Sequence, residues 1–122
     1  MENHVAFQNL KSLKLSWLVF SKWNMEDHVI FQDLKYLELE YLKFSEWKVD
    51  AEKSFPVLEK LLIHGCLKLM EIPDSFGDIA SLQLIKVWYS PQLKESMFKI
   101  KEYVEEMTGE DKLDVQFYDR GS

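Results

Sequence analysis

The chain is poor in cysteine and in positive charge. Cys66 is its single cysteine, so no disulfide can form within the chain, and no asparagine begins an Asn-x-Ser/Thr glycosylation site. The 15 Lys and Arg residues are outnumbered by 21 Asp and Glu residues, and the net charge of −6 would repel a phosphate backbone or an anionic membrane. These shortages argue against nucleic acid as a partner and favour a reducing compartment.

Long apolar runs are also missing. No stretch approaches the roughly 20 apolar residues that cross a bilayer, and the N-terminus lacks the cationic start and apolar run of a signal peptide. We therefore expect no transmembrane segment and a cytoplasmic location. Hydrophobic residues nevertheless make up 47% of the 122-residue chain, which is enough to build the core of one domain.

The chain is rich in one apolar pattern, which occurs four times at a constant spacing. A leading residue is followed by apolar residues three, six and eight positions later, and the leading residues are Phe7, Phe31, Phe55 and Ile79. The constant spacing, that from Phe7 to Phe31, is here named the repeat period. Such a pattern, with a period in the twenties, is typical of a leucine-rich repeat. We predict an α/β repeat fold, namely a leucine-rich-repeat solenoid with a parallel sheet on its concave face. The strands are expected at 12–16, 36–40, 60–64 and 84–88.

Four repeats are predicted over 1–93, at about 1–24, 25–48, 49–72 and 73–93. The first two are identical at more than half of their aligned positions, which indicates tandem duplication. Met1 matches Met25, so we expect the chain to begin within a longer array, with an uncovered apolar edge through which the first repeat self-associates. Between the strands we expect irregular or short-helical segments, with Pro73 ending any strand and Gly77 permitting a turn. Aromatic side chains should fill the space between successive coils; they are Phe20, Trp23, Phe44 and Trp47.

A C-terminal cap of helix and strand is predicted over 94–120. Apolar residues at alternating steps of four and three indicate an amphipathic helix at about 94–107, and Gly109 is suited to ending it. Two heptads are too few for a dimerising coiled coil, so we expect this helix to cover the last repeat. Apolar and polar residues then alternate as in a half-buried strand at about 113–117. The apolar residues of the helix stripe are Leu93, Met97, Ile100, Val104 and Met107.

The residues of 55–87 resemble the last leucine-rich repeats of plant intracellular nucleotide-binding disease-resistance proteins. The helix, the Thr-Gly-Glu-Asp-Lys turn and the final strand are similar to the C-terminus of the coiled-coil-class, late-blight-resistance-like receptors of nightshades. The resemblance is weaker over 1–48, where Leu18 and Leu42 replace the family's usual Cys or Asn. It implies a protein-recognition module of an immune receptor that senses a pathogen effector or restrains activation by packing on the receptor's own nucleotide-binding domain. That domain is not part of this chain, so no nucleotide cofactor is implied.

Two other kinds of repeat protein remain as alternatives. Substrate-recruiting adaptors of ubiquitin ligases contain similar repeats, and they would carry an F-box ahead of Met1. Extracellular plant repeat proteins carry an Ile-Pro signature like Ile72-Pro73, but they place Gly where this chain has Glu71, and they usually bring paired cysteines and glycosylation sites.

Little in the sequence indicates catalysis. His4 and His28 are copies of each other, whereas His64 falls at a different repeat position, and one cysteine cannot complete a zinc site. Cys66 lies where such repeats favour a small buried side chain that bonds the turn backbone. We expect no enzymatic activity, no metal and no cofactor.

The candidate binding residues are those that should point away from the core. Strand alternation places every second residue outward, and Trp and Tyr at such positions dominate protein–protein hot spots. We expect Tyr36 and Trp88 to be exposed. For Trp17, Tyr41 and Tyr89, which follow the strands, two interpretations remain open: exposure to a partner, or stacking of neighbouring rings that stabilises the sheet. The predicted partner-binding residues are Trp17, Tyr36, Glu38, Glu40, Tyr41, Lys60, His64, Lys86, Trp88 and Tyr89.

Overall fold

The computed structural model describes residues 5–25 and 29–119, which form a mixed α/β arrangement of parallel sheets with a C-terminal helix. The strands in chain order are β1 (Val5–Phe7), β2 (Ser12–Ser16), β3 (Lys22–Asn24), β4 (Val29–Phe31), β5 (Tyr36–Glu40), β6 (Glu46–Lys48), β7 (Lys60–His64), β8 (Leu84–Trp88) and β9 (Asp114–Tyr118). The helices are α1 (Ala51–Ser54) and α2 (Lys94–Thr108), with short 3-10 helices at Asp74–Asp78 and Pro91–Leu93. The main sheet is parallel, in the order β2-β5-β7-β8-β9.

The main sheet pairs residues that lie one repeat period apart in the sequence. Leu13 pairs with Leu37, Leu37 with Leu61, and Leu61 with Ile85, so the four predicted strands are found in one continuous register. The step from β8 to β9 is longer, since Ile85 pairs with Val115. The longer step accommodates α2, which occupies the connection between these two strands.

The core lies on one face of the main sheet because apolar and polar residues alternate along each strand. Leu37, Leu61 and Ile85 are fully buried, at 0% exposure. Leu13 and Leu15 of β2 are only partly buried, because among the strands that the structure describes β2 lies at the edge of the sheet, with a neighbour on one side. Burial of each side chain therefore depends on the coil that stacks upon it.

The segments between the first strands are more regular than expected. Two additional parallel ribbons form, one from β1 and β4 and one from β3 and β6, and both pair residues one repeat period apart. The prediction of irregular or short-helical segments was wrong here, because two nearly identical coils can pair in register outside the main sheet as well. Phe20 stacks on Phe44 at 5.0 Å between ring centroids, and Trp23 stacks on Trp47 at 5.1 Å, so the aromatic side chains fill the space between coils as predicted.

The later connecting segments are short helices. Helix α1 follows Asp50, and a 3-10 helix follows Pro73, whose missing N–H suits the end of extended structure. Gly77 lies inside this 3-10 helix and not in the predicted turn. A Cβ atom on Gly77 would approach the ring of Tyr103 to 2.7 Å, so the small residue is needed for close packing of the helices.

Helix α2 begins at Lys94 and ends at Thr108, and Gly109 follows it with a φ of 71°, which gives the left-handed C-cap expected of glycine. Met97, Ile100 and Val104 are buried. Met107 was predicted in the same stripe but is 68% exposed, because it lies in the last turn of the helix. No helix in the described parts of the chain is long and apolar enough to cross a membrane.

Lys101 connects α2 to the strand that follows it. Its ammonium donates hydrogen bonds to Asp111 at 2.6 Å and to the carbonyl of Leu113 at 2.7 Å. The hydrogen bond from Lys101 lowers the pKa of the Asp111 carboxyl. Lys101 thus links the middle of α2 to the segment that leads into β9.

Candidate protein-binding site

The side of the main sheet that faces away from the core is here named the open face. Its residues form three rows that run across the five strands. The first row is Ser12, Tyr36, Lys60, Leu84 and Asp114; the second is Lys14, Glu38, Leu62, Lys86 and Gln116; the third is Ser16, Glu40, His64, Trp88 and Tyr118. These rows bring the predicted outward residues of four strands onto one surface.

At one end of the open face, charged side chains form contacts with one another. Lys14 lies 3.8 Å from the carboxylate of Glu38 and 3.5 Å from that of Glu40. The Tyr36 hydroxyl donates a hydrogen bond of 2.9 Å to Glu38. Burial, together with this hydrogen bond, raises the pKa of Tyr36. The carboxylates at this end are therefore held as acceptors in fixed positions.

The other end of the open face is aromatic and cationic. The Lys86 ammonium lies 4.7 Å from the ring centroid of Trp88 and 5.5 Å from that of Tyr118. The rings of Trp88 and Tyr118 stack on each other at 6.1 Å. Leu62, in the next strand, is only 9% exposed although it lies on the open face. A cation held over two aromatic rings can meet both apolar and anionic groups of a partner.

An edge of aromatic residues borders the open face where the strands end. Trp17, Tyr41, Gly65 and Tyr89 follow one another at the repeat period, and all four have positive φ, at 62°, 52°, 67° and 51°. Positive φ is common for glycine but rare and strained for bulky side chains, at about 1–3 kcal/mol each. The three aromatic residues therefore occupy positions at which glycine would be the less strained choice.

The rings along this edge contact one another. Trp17 stacks on Tyr41 at 4.3 Å between centroids, and His64 stacks on Tyr89 at 5.5 Å. The Tyr41 hydroxyl and His64 Nε2 lie 3.2 Å apart and share a hydrogen bond. Trp17 is still 69% exposed and Tyr89 42% exposed. The two sequence interpretations are thus compatible, since these rings both stack and present surface.

The structure places the ten predicted site residues in two neighbouring groups. Seven lie on the open face, and three lie along the aromatic edge beside it. Tyr36 and Trp88 are half-buried and not exposed as expected, because Glu38, Lys86 and Tyr118 cover part of their rings. The residues of β9 were missed, although the alternation over 113–117 already indicated a strand that could join the sheet.

Cys66 lies behind the aromatic edge and is fully buried. Its Sγ lies 3.8 Å from the carbonyl oxygens of Leu39 and of His64, and its backbone N–H donates to Ser90 Oγ at 3.0 Å. Burial raises the pKa of the Cys66 thiol. A protonated, enclosed thiol of this kind holds turn backbone in place and is a poor nucleophile.

Relatives of this chain occur among plant resistance proteins. Late blight resistance protein R1-A of Solanum demissum is 44% identical over 111 residues, and putative late blight resistance protein homolog R1B-16 of the same plant is 39% identical over 111 residues. Both alignments cover 91% of this chain. The chain is homologous to part of the late blight resistance proteins.

Only a small part of this chain lies outside the alignments with these two late blight resistance proteins. Putative late blight resistance protein homolog R1B-13 of Solanum demissum is 42% identical over 67 residues, or 55% of this chain. The chain corresponds to only 6% of the length of each of these three relatives. No protein-family model matches the chain.

Proposed function

We propose that the chain is a leucine-rich-repeat module of a plant intracellular immune receptor and that it binds a protein through the open face. The observation that carries the proposal is the constant offset of one repeat period between neighbouring strands of the main sheet from β2 to β8. A constant offset between parallel neighbours is what stacked repeats produce, and stacked repeats present an extended surface for binding. The homology to late blight resistance proteins supports a role in plant defence.

Binding suits the open face better than catalysis does. Its carboxylates are held by Lys14 and by the hydroxyl of Tyr36, and its largest side chain is Trp88. Large rings with fixed contacts lose little entropy when a partner covers them, and they contribute strongly to protein interfaces. The proposed role is therefore recognition without enzymatic activity.

The proposed partner is a protein in the plant cytoplasm. It is either a pathogen effector, which the repeats sense, or the nucleotide-binding domain of the same receptor, which they restrain. The mixed charge of the open face fits both, since it offers paired carboxylates at one end and the cation of Lys86 at the other.

Binding assays with two variants test the proposal. Trp88→Ala and Tyr36→Ala should leave the fold intact and weaken binding to the isolated nucleotide-binding domain or to a pathogen effector by about tenfold, equivalent to about 1.4 kcal/mol. Phe98→Ala is the matched control, because Phe98 is an aromatic residue of α2 with 42% exposure that lies off the open face.

Circular dichroism of each variant separates binding from folding. Unfolding of Trp88→Ala would show that the open face contributes to the core. Equal binding by Trp88→Ala and Phe98→Ala to every partner would contradict a recognition role for this surface. Weaker binding of Trp88→Ala to the pathogen effector would support sensing. Weaker binding of Trp88→Ala to the nucleotide-binding domain would support restraint.

A further inference from the structure

Two shallow depressions lie beside the aromatic edge, beyond the ends of β2, β5 and β7. They have volumes of about 190 Å³ and about 310 Å³. Lys43 and Lys68 line both depressions; Trp17 and Leu67 line the first, and Val19 lines the second. These five residues are here named the lysine edge.

The apolar residues of the lysine edge are unusually exposed. Trp17 is 69% exposed, Val19 is 76% exposed and Leu67 is 65% exposed. Val19 and Lys43 are paired across neighbouring coils, so the exposed side chains follow one another along the stack. Contiguous exposed apolar groups, unlike scattered single ones, are typical of interaction sites.

Lys43 and Lys68 carry positive charge that nothing else in the described parts of the chain neutralises by an ion pair. Ion pairs to carboxylates are formed elsewhere in the described parts of the chain by six lysines; they are Lys14, Lys22, Lys35, Lys48, Lys99 and Lys101. In a chain of net charge −6, two unpaired lysines beside exposed apolar groups form a local basic surface.

We propose that the lysine edge binds an acidic amphipathic segment of another protein. Bulky apolar side chains of that segment occupy the two depressions, and its Asp or Glu residues pair with Lys43 and Lys68. Charge complementarity selects this partner. A second copy of the chain is a poor occupant, since a symmetric contact would bring the lysines of both copies together. The site is separate from the open face and does not depend on its function.

Selection of random peptides displayed on phage tests the proposal directly. The immobilised chain should enrich peptides in which Trp, Phe or Leu is flanked by Asp or Glu. A synthetic peptide of the enriched sequence is then titrated against variants by calorimetry. The double variant Lys43→Glu/Lys68→Glu should weaken its binding by about tenfold or more. Lys11→Glu/Lys53→Glu changes the net charge equally at exposed residues elsewhere, and it should bind as the unmodified chain does.

A second pair of variants tests the apolar part. Leu67→Ser should weaken peptide binding, whereas Met107→Ser, which alters a residue of similar exposure at the end of α2, should not. Enriched peptides without acidic residues, or equal weakening by both lysine double variants, would overturn the proposal. Peptides that lose affinity with Trp88→Ala but not with Leu67→Ser would overturn it while supporting recognition by the open face.

Discussion

The ring of Tyr41 lies directly against Gly65 in the neighbouring coil. A Cβ atom on Gly65 would come within 2.4 Å of two carbons of the Tyr41 ring. Gly65 also has a φ of 67°, in the left-handed region. Glycine is therefore required here for two separate reasons, its backbone conformation and the space that the ring occupies.

Substitution of Gly65 by Ala should destabilise the fold more than the same change at Gly109. Gly109 has a φ of 71°, but an added Cβ would meet nothing within 4 Å. We expect Gly109→Ala to cost about 1–2 kcal/mol from backbone strain alone. Gly65→Ala should cost about 1–3 kcal/mol more, because the ring must move. Urea unfolding measures both, and equal losses would show that Tyr41 does not press on Gly65.

Truncation of a core leucine should reveal the stacking of coils. Leu61 is fully buried between Leu37 and Ile85, so Leu61→Ala should cost about 2–5 kcal/mol. Leu13→Ala should cost less, because Leu13 holds the same position in an edge strand and is only partly buried. Thermal and urea unfolding check the order of the two variants. A larger loss for Leu13→Ala would contradict the register.

Ser90 provides a buried hydrogen-bond bridge between coils. Its Oγ accepts the backbone N–H of Cys66 at 3.0 Å and donates to the carbonyl of Trp88 at 3.1 Å. Ser90→Ala should cost about 1–3 kcal/mol, because the buried N–H loses its acceptor. Ser12→Ala, at an exposed position, is the control. Hydrogen exchange of the Cys66 amide should accelerate in the first variant only, and unchanged exchange would argue against the bridge.

The strands of the main sheet were predictable because the repeat period and the alternation of apolar and polar residues both indicate the same strands. The repeat period fixes which strands are neighbours, and alternation within each strand fixes which side chains are buried. The ribbons β1–β4 and β3–β6 were not predictable from either period. Their strands are short, and each exists because an almost identical coil stacks beside it.

The residues that form the candidate site were predictable from the sequence, but their arrangement was not. Alternation identified Trp88 and Tyr36 as outward residues, yet their partial burial depends on neighbouring side chains of other strands. The positive φ of Trp17 and Tyr41 was not foreseen, because bulky residues rarely adopt it. Gly65, at the equivalent position of the third coil, is the signal that could have revealed this conformation.

The first coil presents an apolar edge that should drive self-association. Phe20 and Trp23 are only partly buried, whereas Phe44, at the position equivalent to Phe20 in the next coil, has 0% exposure. Within the described parts of the chain, strand β2 also has a neighbour on one side only, and such open edges promote pairing between chains. Sedimentation velocity should therefore show a mass that rises with concentration. Leu10 is another partly buried apolar residue of the first coil, and Leu10→Lys, which adds charge there, should reduce the rise, whereas Met107→Lys at the end of α2 should not. A monomeric mass at every concentration would contradict association through the first coil.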